Sequence, residues 1–284
     1  MEIVKTVASL KEAINKRRGE GRSIALVPTM GALHDGHLSL VSRARRENDT
    51  VVVSVFVNPT QFNNPDDLAT YPRTEDADCA KLEAAGVDIA FVPGVEDVYP
   101  EGRDERVFDL GPVAEVMEGA MRPGHFNGVA QVVSRLFDYV GPDRAYFGEK
   151  DFQQIAVIRR MVELLGHGPE IVSCEIKRAD DGLALSSRNV RLSERQRAIA
   201  PNIHRVLAES VALAPSMSVE EVKRHVVEAI ESSADSGEMR VEYYEIVNPL
   251  TMQPVSDWKE GAVGCVTVYL GDVRLIDNIK YNVG

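Results

Sequence analysis

The alternation of short apolar runs with helical patterns restricts the possible folds of this chain more than any other feature. The run 51–57 (VVVSVFV) is apolar on both faces and rich in β-branched residues, as is typical of a central strand in a parallel sheet. Shorter runs at 24–27, 88–92, 145–147 and 171–176 alternate with segments of helical spacing. The pattern predicts βαβ units and therefore an α/β fold, a Rossmann-like parallel sheet with helices on both faces.

The last third of the chain has a different order of elements. Two amphipathic helices are predicted near 193–212 and 218–232, and strands follow at 241–247, 262–270 and 273–276. Helices first and strands afterwards predict a smaller C-terminal α+β domain. We place the boundary between a first domain of residues 1–180 and a second of residues 181–284, and we expect the second to act as a lid.

Charge and cysteine content exclude several classes of partner. The 284 residues carry a formal net charge of −12, whereas nucleic acids and anionic membranes attract clustered Lys and Arg. Cys79, Cys174 and Cys265 form no CxxC pair, which favours reduced thiols. The first residues lack the apolar region of a signal peptide, and no apolar run is long enough to span a bilayer. We therefore expect a cytoplasmic protein.

The strongest local signal is the segment 28–37 (PTMGALHDGH), between the first strand and the next helix. Gly31 permits a tight turn, and His34 and His37 bracket Gly36. Unpaired N–H groups at a helix N-terminus attract phosphate, and two imidazoles there can donate further hydrogen bonds. We interpret the segment as a nucleotide-phosphate site that stabilises a phosphoryl transition state. The alternatives are ordinary helix-start hydrogen bonding and a zinc site, which lacks a plausible ligand set.

A second polar segment, 56–62 (FVNPTQF), follows the second strand. Asn58 and Gln61 are neutral amides, which suit the hydroxyl and carboxyl groups of a small substrate. Asn-Pro also marks turns by itself, so simple turn chemistry remains an alternative.

Two more segments follow later strands. In 148–154 (GEKDFQQ), Lys150 suits phosphate and Asp151 a ribose hydroxyl; the alternative is a solvated helix start. In 177–189 (KRADDGLALSSRN), Ser186, Ser187 and Arg188 offer donors for phosphate or carboxylate; the alternative is a polar linker. Ligands in parallel sheets bind at the carboxyl ends of strands, so we expect these segments to meet.

Two smaller features remain. The segment 121–128 (MRPGHFNG), with Arg122, is interpreted as a surface loop near the site. The acidic pair Asp66 and Asp67 could help to hold a magnesium ion, although such pairs are more often only solvated.

Six segments resemble, in the same order, those of the pantoate–β-alanine ligases, a family of the HIGH-type nucleotidyltransferase superfamily. They are PTMGALHDGHLSL, FVNPTQF, DLATYPR, RPGHFNGV, YFGEKDFQQ and DGLALSSRN, and the resemblance covers nearly the full length. It implies ATP-dependent condensation of pantoate with β-alanine through a pantoyl adenylate, releasing pyrophosphate and then AMP. It also implies magnesium and a homodimer, while the net charge and the lack of a long apolar run lead us to expect neither nucleic-acid nor membrane partners.

The resemblance also assigns residues. It places the ATP site on Met30, Gly31, Ala32, Leu33, His34, Asp35, Gly36, His37, Gly148, Glu149, Lys150, Asp151, Lys177, Leu185, Ser186, Ser187 and Arg188. The catalytic residues among them are His34, His37, Lys150, Ser186, Ser187 and Arg188, with His37 as proton donor. Gln61 and Gln154 match the pantoate contacts, and Gln61 also borders the β-alanine position. Leu185 departs from the family, where Met is common, but the two side chains have similar volumes.

Three other functions fit parts of the pattern. A nucleotidyltransferase that passes AMP or CMP to a phosphorylated acceptor would need more cations than FVNPTQF supplies. An RNA-binding module similar to aminoacyl-tRNA synthetases conflicts with the charge of −12 and the lack of a basic stripe. A non-catalytic interaction protein would leave two histidines, Lys150 and Arg188 at loop positions without a role.

Overall fold

The computed structural model describes residues 1–62, 65–102, 104–234, 237–258 and 261–282. Its larger sheet contains β1 (Glu2–Val4), β2 (Ile24–Thr29), β3 (Thr50–Val55), β4 (Ile89–Phe91), β5 (Arg144–Gly148) and β6 (Glu170–Cys174). The strands are parallel and lie in the order β1-β4-β3-β2-β5-β6. This topology confirms the predicted fold class. The order reverses between β2 and β5, and ligands bind at such switch points.

Helices cover both faces of this sheet. The helices of this part of the chain are α1 (Val7–Gly19), α2 (Asp35–Glu47), α3 (Pro65–Thr70), α4 (Glu75–Ala84), α5 (Val95–Val98), α6 (Glu118–Met121), α7 (His125–Val140) and α8 (Phe152–Leu165). One core joins α1, α7 and α8 to the sheet, and a second joins α2 and α4 to the opposite face. Alternate residues of β2 divide between the two cores, Leu26 in the first and Ala25 in the second, because successive strand side chains point to opposite faces.

The C-terminal part has its own antiparallel sheet and core. It contains α9 (Glu194–Ile199), α10 (Asn202–Leu213), α11 (Val219–Ser232), β7 (Met239–Val247), β8 (Ala262–Leu270) and β9 (Val273–Tyr281). The strands lie in the order β7-β8-β9, and their core includes residues from Leu183 to Tyr281. The smaller α+β unit is confirmed, whereas the boundary at residue 180 and the action as a lid stay predictions. Across the described ranges, no helix is long and apolar enough to cross a membrane.

Several elements differ from the sequence-based expectations. The predicted helix at 193–212 is broken between α9 and α10, because Pro201 lacks an N–H group and its ring clashes with the preceding turn. Strand β2 continues through Pro28 to Thr29. Its pairing with β5 has already ended at Leu26, so Pro28 has a neighbouring strand on one side only. A residue without an N–H group is tolerated at such a position. The short edge strand β1 was not predicted.

Strand β9 runs on to Tyr281, beyond the predicted end at residue 276. Asp277 and Asn278 interrupt the apolar pattern there, yet both are buried. Arg178 donates two hydrogen bonds to the carboxylate of Asp277, at 2.7 and 2.9 Å. Asn278 Nδ2 donates to the carbonyl oxygens of Glu149 and Lys150, at 2.7 and 3.2 Å. The last strand therefore contacts two of the segments that the sequence predicts to bind the nucleotide.

Candidate active site

A cavity of about 200 Å³ lies beyond the carboxyl ends of β2, β3, β5 and β6. Predicted site residues that line it are Met30, His34, Gly36, His37, Gln61, Gly148, Lys150, Asp151, Gln154, Lys177, Leu185, Ser186, Ser187 and Arg188. The lining does not include Gly31, Ala32, Leu33, Asp35 or Glu149. Segments that are distant in sequence thus meet at the switch point of the sheet.

An adjoining cleft of about 750 Å³ lies between the parallel sheet unit and the C-terminal sheet. It is lined by Asp66 and Asp67, and it shares Lys150, Gln154 and Arg188 with the smaller cavity. The shared residues make the two spaces one continuous site that is open toward the C-terminal unit.

One wall of the smaller cavity is apolar. It consists of Phe56, Val129, Val132, Val133 and Leu136, and the last four belong to the predicted helical stripe of α7. All five are buried. The stripe therefore packs against the sheet and also borders the space where a substrate can bind. Periodicity alone does not distinguish these two roles.

Asp78 on α4 holds the turn before His34 in place. Gly31 and Ala32 both have positive φ, at 81° and 49°, so the turn is unusual for Ala32. The fully buried Asp78 carboxylate accepts hydrogen bonds from Ala32 N at 2.8 Å and from Leu33 N at 2.7 Å. Sequence reasoning missed this residue. The signal was an acidic side chain four residues before Leu82, on the buried face of the helix.

The two histidines form the start of α2 as a reciprocal cap. Gly36 N donates to His34 Nδ1 at 3.1 Å, and His34 N donates to His37 Nδ1 at 3.3 Å. A backbone N–H group can only donate, so both Nδ1 atoms are acceptors and the proton of each neutral ring lies on Nε2. The ring centroids are 4.1 Å apart. The cap therefore leaves two neighbouring Nε2–H donors for the cavity.

Burial keeps both rings neutral. It lowers the pKa of His34 to about 4, with Lys150 as the next cause. Burial and then the His34 ring lower the pKa of His37 to about 3. Near pH 7 both imidazoles are consequently uncharged hydrogen-bond donors.

Five backbone amides of this segment, which the sequence predicted to be unpaired donors for phosphate, have partners within the protein. Gly31 N donates to Thr29 Oγ1 at 3.2 Å, the amides of Ala32 and Leu33 bind Asp78, and those of His34 and Gly36 complete the cap. They are not unpaired donors for phosphate, because neighbouring side chains already satisfy them. The Nδ1 atoms of His34 and His37 therefore make ordinary helix-start hydrogen bonds with these amides. The Nε2 atoms of the two rings remain available for a ligand.

Asn58 supports Gln61. The side chain of Asn58 is almost fully buried; it accepts from Tyr99 Oη at 2.8 Å and donates to Gln61 Oε1 at 3.3 Å. Gln61 Nε2 contacts the sulfur of Met30 at 2.9 Å, a weak acceptor. Asn58 therefore performs the turn chemistry that was one of its two interpretations, and Gln61 presents its NH₂ group to the cavity.

The segment with Ser186, Ser187 and Arg188 joins the first segment directly. Ser187 Oγ donates to the carbonyl oxygen of Ala32 at 3.0 Å, and Arg188 N donates to Ser186 Oγ at 3.3 Å. Arg188 Nη2 pairs with Asp67 Oδ2 at 2.8 Å. The Arg188 guanidinium is thereby held at the mouth shared by the two cavities.

The described residues do not form a metal site of their own. No group of three or more His, Cys, Asp or Glu side chains that could hold an ion is found among them. Asp67 is paired with Arg188 and also lies 3.5 Å from Arg191 Nη1. Magnesium is commonly held by substrate phosphates, waters and one or two carboxylates, so the donor set here fits an ion only in that form.

The buried histidines predict a pH dependence of stability. The pKa values of His34, His37 and His125, about 4, about 3 and about 4, lie below the ordinary 6.5 because burial disfavours the charged ring. The folded protein then binds fewer protons than the unfolded chain, so stability is lost as the pH falls below 6.5. We expect the free energy of unfolding to fall by about 1 kcal/mol per pH unit for each ring between pH 6.5 and 4.5.

Urea unfolding at pH 7.0 and 5.0 checks this expectation. Hydrogen bonds and ion pairs of the Glu118 carboxylate outweigh its burial and lower its pKa to about 2. This group contributes mainly below about pH 5, as the pH approaches the ordinary carboxyl pKa. The double variant His37→Gln with His125→Asn should show a flatter dependence. An equally steep slope in that variant would assign the effect to other groups.

Three comparisons with known proteins agree. A family model described as pantoate-beta-alanine ligase matches residues 2–280. The chain is 60% identical over 283 residues to the pantothenate synthetase of Porphyromonas gingivalis, covering 99% of each.

Solved structures give the same result. The pantothenate synthetase of Thermus thermophilus matches with a TM-score of 0.92 and 50% identity, over 99% of both chains. The pantoate-beta-alanine ligase of Francisella tularensis, in complex with beta-gamma ATP and β-alanine, matches with a TM-score of 0.83 and 35% identity over 100% of this chain and 99% of that one.

Proposed function

The chain belongs to the pantoate–β-alanine ligase family, and from this premise we propose that it makes pantothenate in two steps, through an adenylate formed in the 200 Å³ cavity. Membership makes the protein a ligase that joins pantoate to β-alanine with ATP, and it decides against the three alternative functions. The observation that carries the two-step proposal is the meeting of four strand-end segments around one cavity.

In the first step, a carboxylate oxygen of pantoate attacks the α-phosphorus of ATP. The new P–O bond forms as the bond to the bridging oxygen breaks, and pyrophosphate leaves with the electron pair. Such a step depends on positioning and charge stabilisation more than on covalent help from the protein. Lys150 and Arg188 supply positive charge, and Ser186 and Ser187 line the same cavity.

The two histidines stabilise the charge that develops on the phosphate oxygens. Their Nε2–H groups are fixed donors that need no reorganisation when charge appears. We propose His37 as the proton donor. Because its pKa is low, it acts as a neutral ring that donates a hydrogen bond. When ATP binds, its phosphates bring negative charge beside His37. This charge raises the pKa of His37 and so opposes the effect of burial.

Pantoate is proposed to lie between the amides and the apolar wall. Gln61 and Gln154 line the cavity together with Val129, Val132 and Leu136. Gln61 Nε2 suits a carboxylate or hydroxyl oxygen, and the wall suits the two methyl groups of pantoate. In the second step the amine of β-alanine attacks the acyl carbon beside Gln61; the C–N bond forms, AMP leaves, and a proton is lost from nitrogen.

The proposal also includes magnesium, a lid, a homodimer and a cytoplasmic location. Magnesium would accompany ATP, held mainly by phosphates and water, since Asp67 is engaged by arginine. The C-terminal unit, which borders the 750 Å³ cleft, would act as the lid that protects the anhydride from water. A homodimer and a cytoplasmic location complete the proposal.

Isotope exchange between ATP and pyrophosphate tests the proposed order. We expect exchange that requires pantoate and does not require β-alanine, because the first step is reversible before the amine enters. The assay contains the purified protein, ATP and labelled pyrophosphate, with pantoate or β-alanine added in turn. Exchange supported by β-alanine alone would overturn the order, and exchange that requires β-alanine as well as pantoate would overturn an adenylate formed before the amine enters.

A further inference from the structure

The segment 121–128 has no role in the mechanism above, although it is one of the six segments of the resemblance. It contains Arg122 and ends in the first turn of α7, where His125 is buried. We propose that His125 is a positioning residue for Gln61, held in a single tautomer by Arg122. This inference rests on the proposed function, because it assumes that Gln61 contacts the substrates.

The hydrogen bonds of His125 determine where its proton lies. His125 Nδ1 is 2.8 Å from the carbonyl oxygen of Gln61, and Nε2 is 3.3 Å from Arg122 Nη1. A carbonyl can only accept and a guanidinium can only donate. The ring is therefore neutral, with Nδ1–H directed at Gln61 and Nε2 accepting from Arg122. Burial, which lowers the pKa of His125, agrees with this geometry.

The backbone of the Gln61 segment lies directly against α7. A Cβ atom added at Gly128 would overlap the carbonyl group of Thr60, so only glycine permits this approach. Asn58 Nδ2 donates to the carbonyl oxygen of Gly128 at 3.2 Å. The hydrogen bond from His125 holds the backbone carbonyl of Gln61. A shift of this carbonyl would also move the Gln61 side chain.

Arg122 is itself fixed from the C-terminal sheet. Its Nη1 lies 3.5 Å from Glu118 Oε2. The Glu118 carboxylate accepts from Arg274 at 2.6 and 2.8 Å and from Tyr243 Oη at 2.8 Å. These partners belong to β9 and β7, so the environment that sets the His125 tautomer is anchored on both sides of the larger cleft.

Two substitutions separate positioning from packing. His125→Asn places an amide NH₂ near the position of Nδ1 and keeps the donor to Gln61, whereas His125→Gln places its amide near Nε2 and loses that donor. We expect His125→Gln to raise the KM values for pantoate and β-alanine about tenfold, the equivalent of one lost hydrogen bond. His125→Asn should stay within about threefold, and the KM for ATP should not change in either variant.

The controls distinguish the inference from the proposed function. His167→Gln, on an exposed histidine, should behave like the unmodified protein, and thermal unfolding by circular dichroism verifies the fold of each variant. Equal effects of the Asn and Gln variants, or parallel changes in all three KM values, would overturn the inference. Gln61→Ala is measured beside them: if it leaves the KM for pantoate and β-alanine unchanged, the proposed substrate contacts fail instead.

Discussion

Replacing His37 by alanine should lower the rate of pantoate-dependent ATP–pyrophosphate exchange by about 100- to 1,000-fold, the usual cost of losing one fixed donor to a developing oxyanion. His37 lines the cavity, and its Nδ1 is occupied by the amide of His34. Its Nε2–H is therefore the group that the substitution removes from the substrate. The loss should appear in kcat, because the donor matters most when charge develops.

The matched variant for this experiment is His37→Gln. Its side-chain NH₂ can occupy the region of Nε2, so part of the rate should return, although the acceptor for His34 N is lost. Both variants should retain the circular dichroism spectrum of the native protein, since the helix cap from His34 to Gly36 remains. Near-normal exchange by folded His37→Ala would remove this histidine from the mechanism.

Replacing Asp78 by alanine should lower the free energy of unfolding by about 2–6 kcal/mol, because one partly buried and one buried N–H group lose their acceptor at a cost of about 1–3 kcal/mol each. The amides concerned belong to Ala32 and Leu33. Their turn has positive φ at two successive residues, a conformation that persists only when its surroundings hold it. The same variant should therefore lose most of the exchange activity, since the turn leads directly to His34.

Urea unfolding and exchange assays on Asp78→Ala and Asp78→Asn check this second expectation. The asparagine variant keeps one acceptor oxygen and should fall between alanine and the native protein in stability. Asp76→Ala is the control, on an exposed residue of the same helix, and should change stability by less than about 1 kcal/mol. Native stability in Asp78→Ala would show that this carboxylate does not hold the turn.

The sequence predicted local structure well where neighbouring residues decide it. The strand at 51–57 was recognisable because β-branched side chains on both faces suit a buried parallel strand, and β3 occupies the centre of the sheet. The edge strand β1 was missed, since it contains only two apolar residues, whereas the equally short β4 lies within a longer apolar run. Pro201 breaks the helical pattern between α9 and α10, whereas the periodicity alone predicted a single long helix there.

The sequence also predicted most of the residues that line the smaller cavity, whereas it did not predict their contacts within the protein. His34 and His37 were predicted to face phosphate and both line the cavity, yet the sequence did not show that their Nδ1 atoms cap the helix. Asp67 illustrates the same limit: the sequence offered a metal ion or solvent as the partner of the acidic pair, but Arg188 pairs with Asp67 across a separation of 121 residues.

By itself, the sequence determined the parallel sheet, the order of its segments and the residue types at each strand end, because these depend on side chains a few positions apart. Only the tertiary structure decided that Asp78 binds amides 45 and 46 residues away, that His125 reaches Gln61 across 64 residues, and that Asn278 contacts the Lys150 segment. Such contacts arise because packing encloses polar groups away from water, and each enclosed donor or acceptor must then find a partner, wherever in the chain that partner lies.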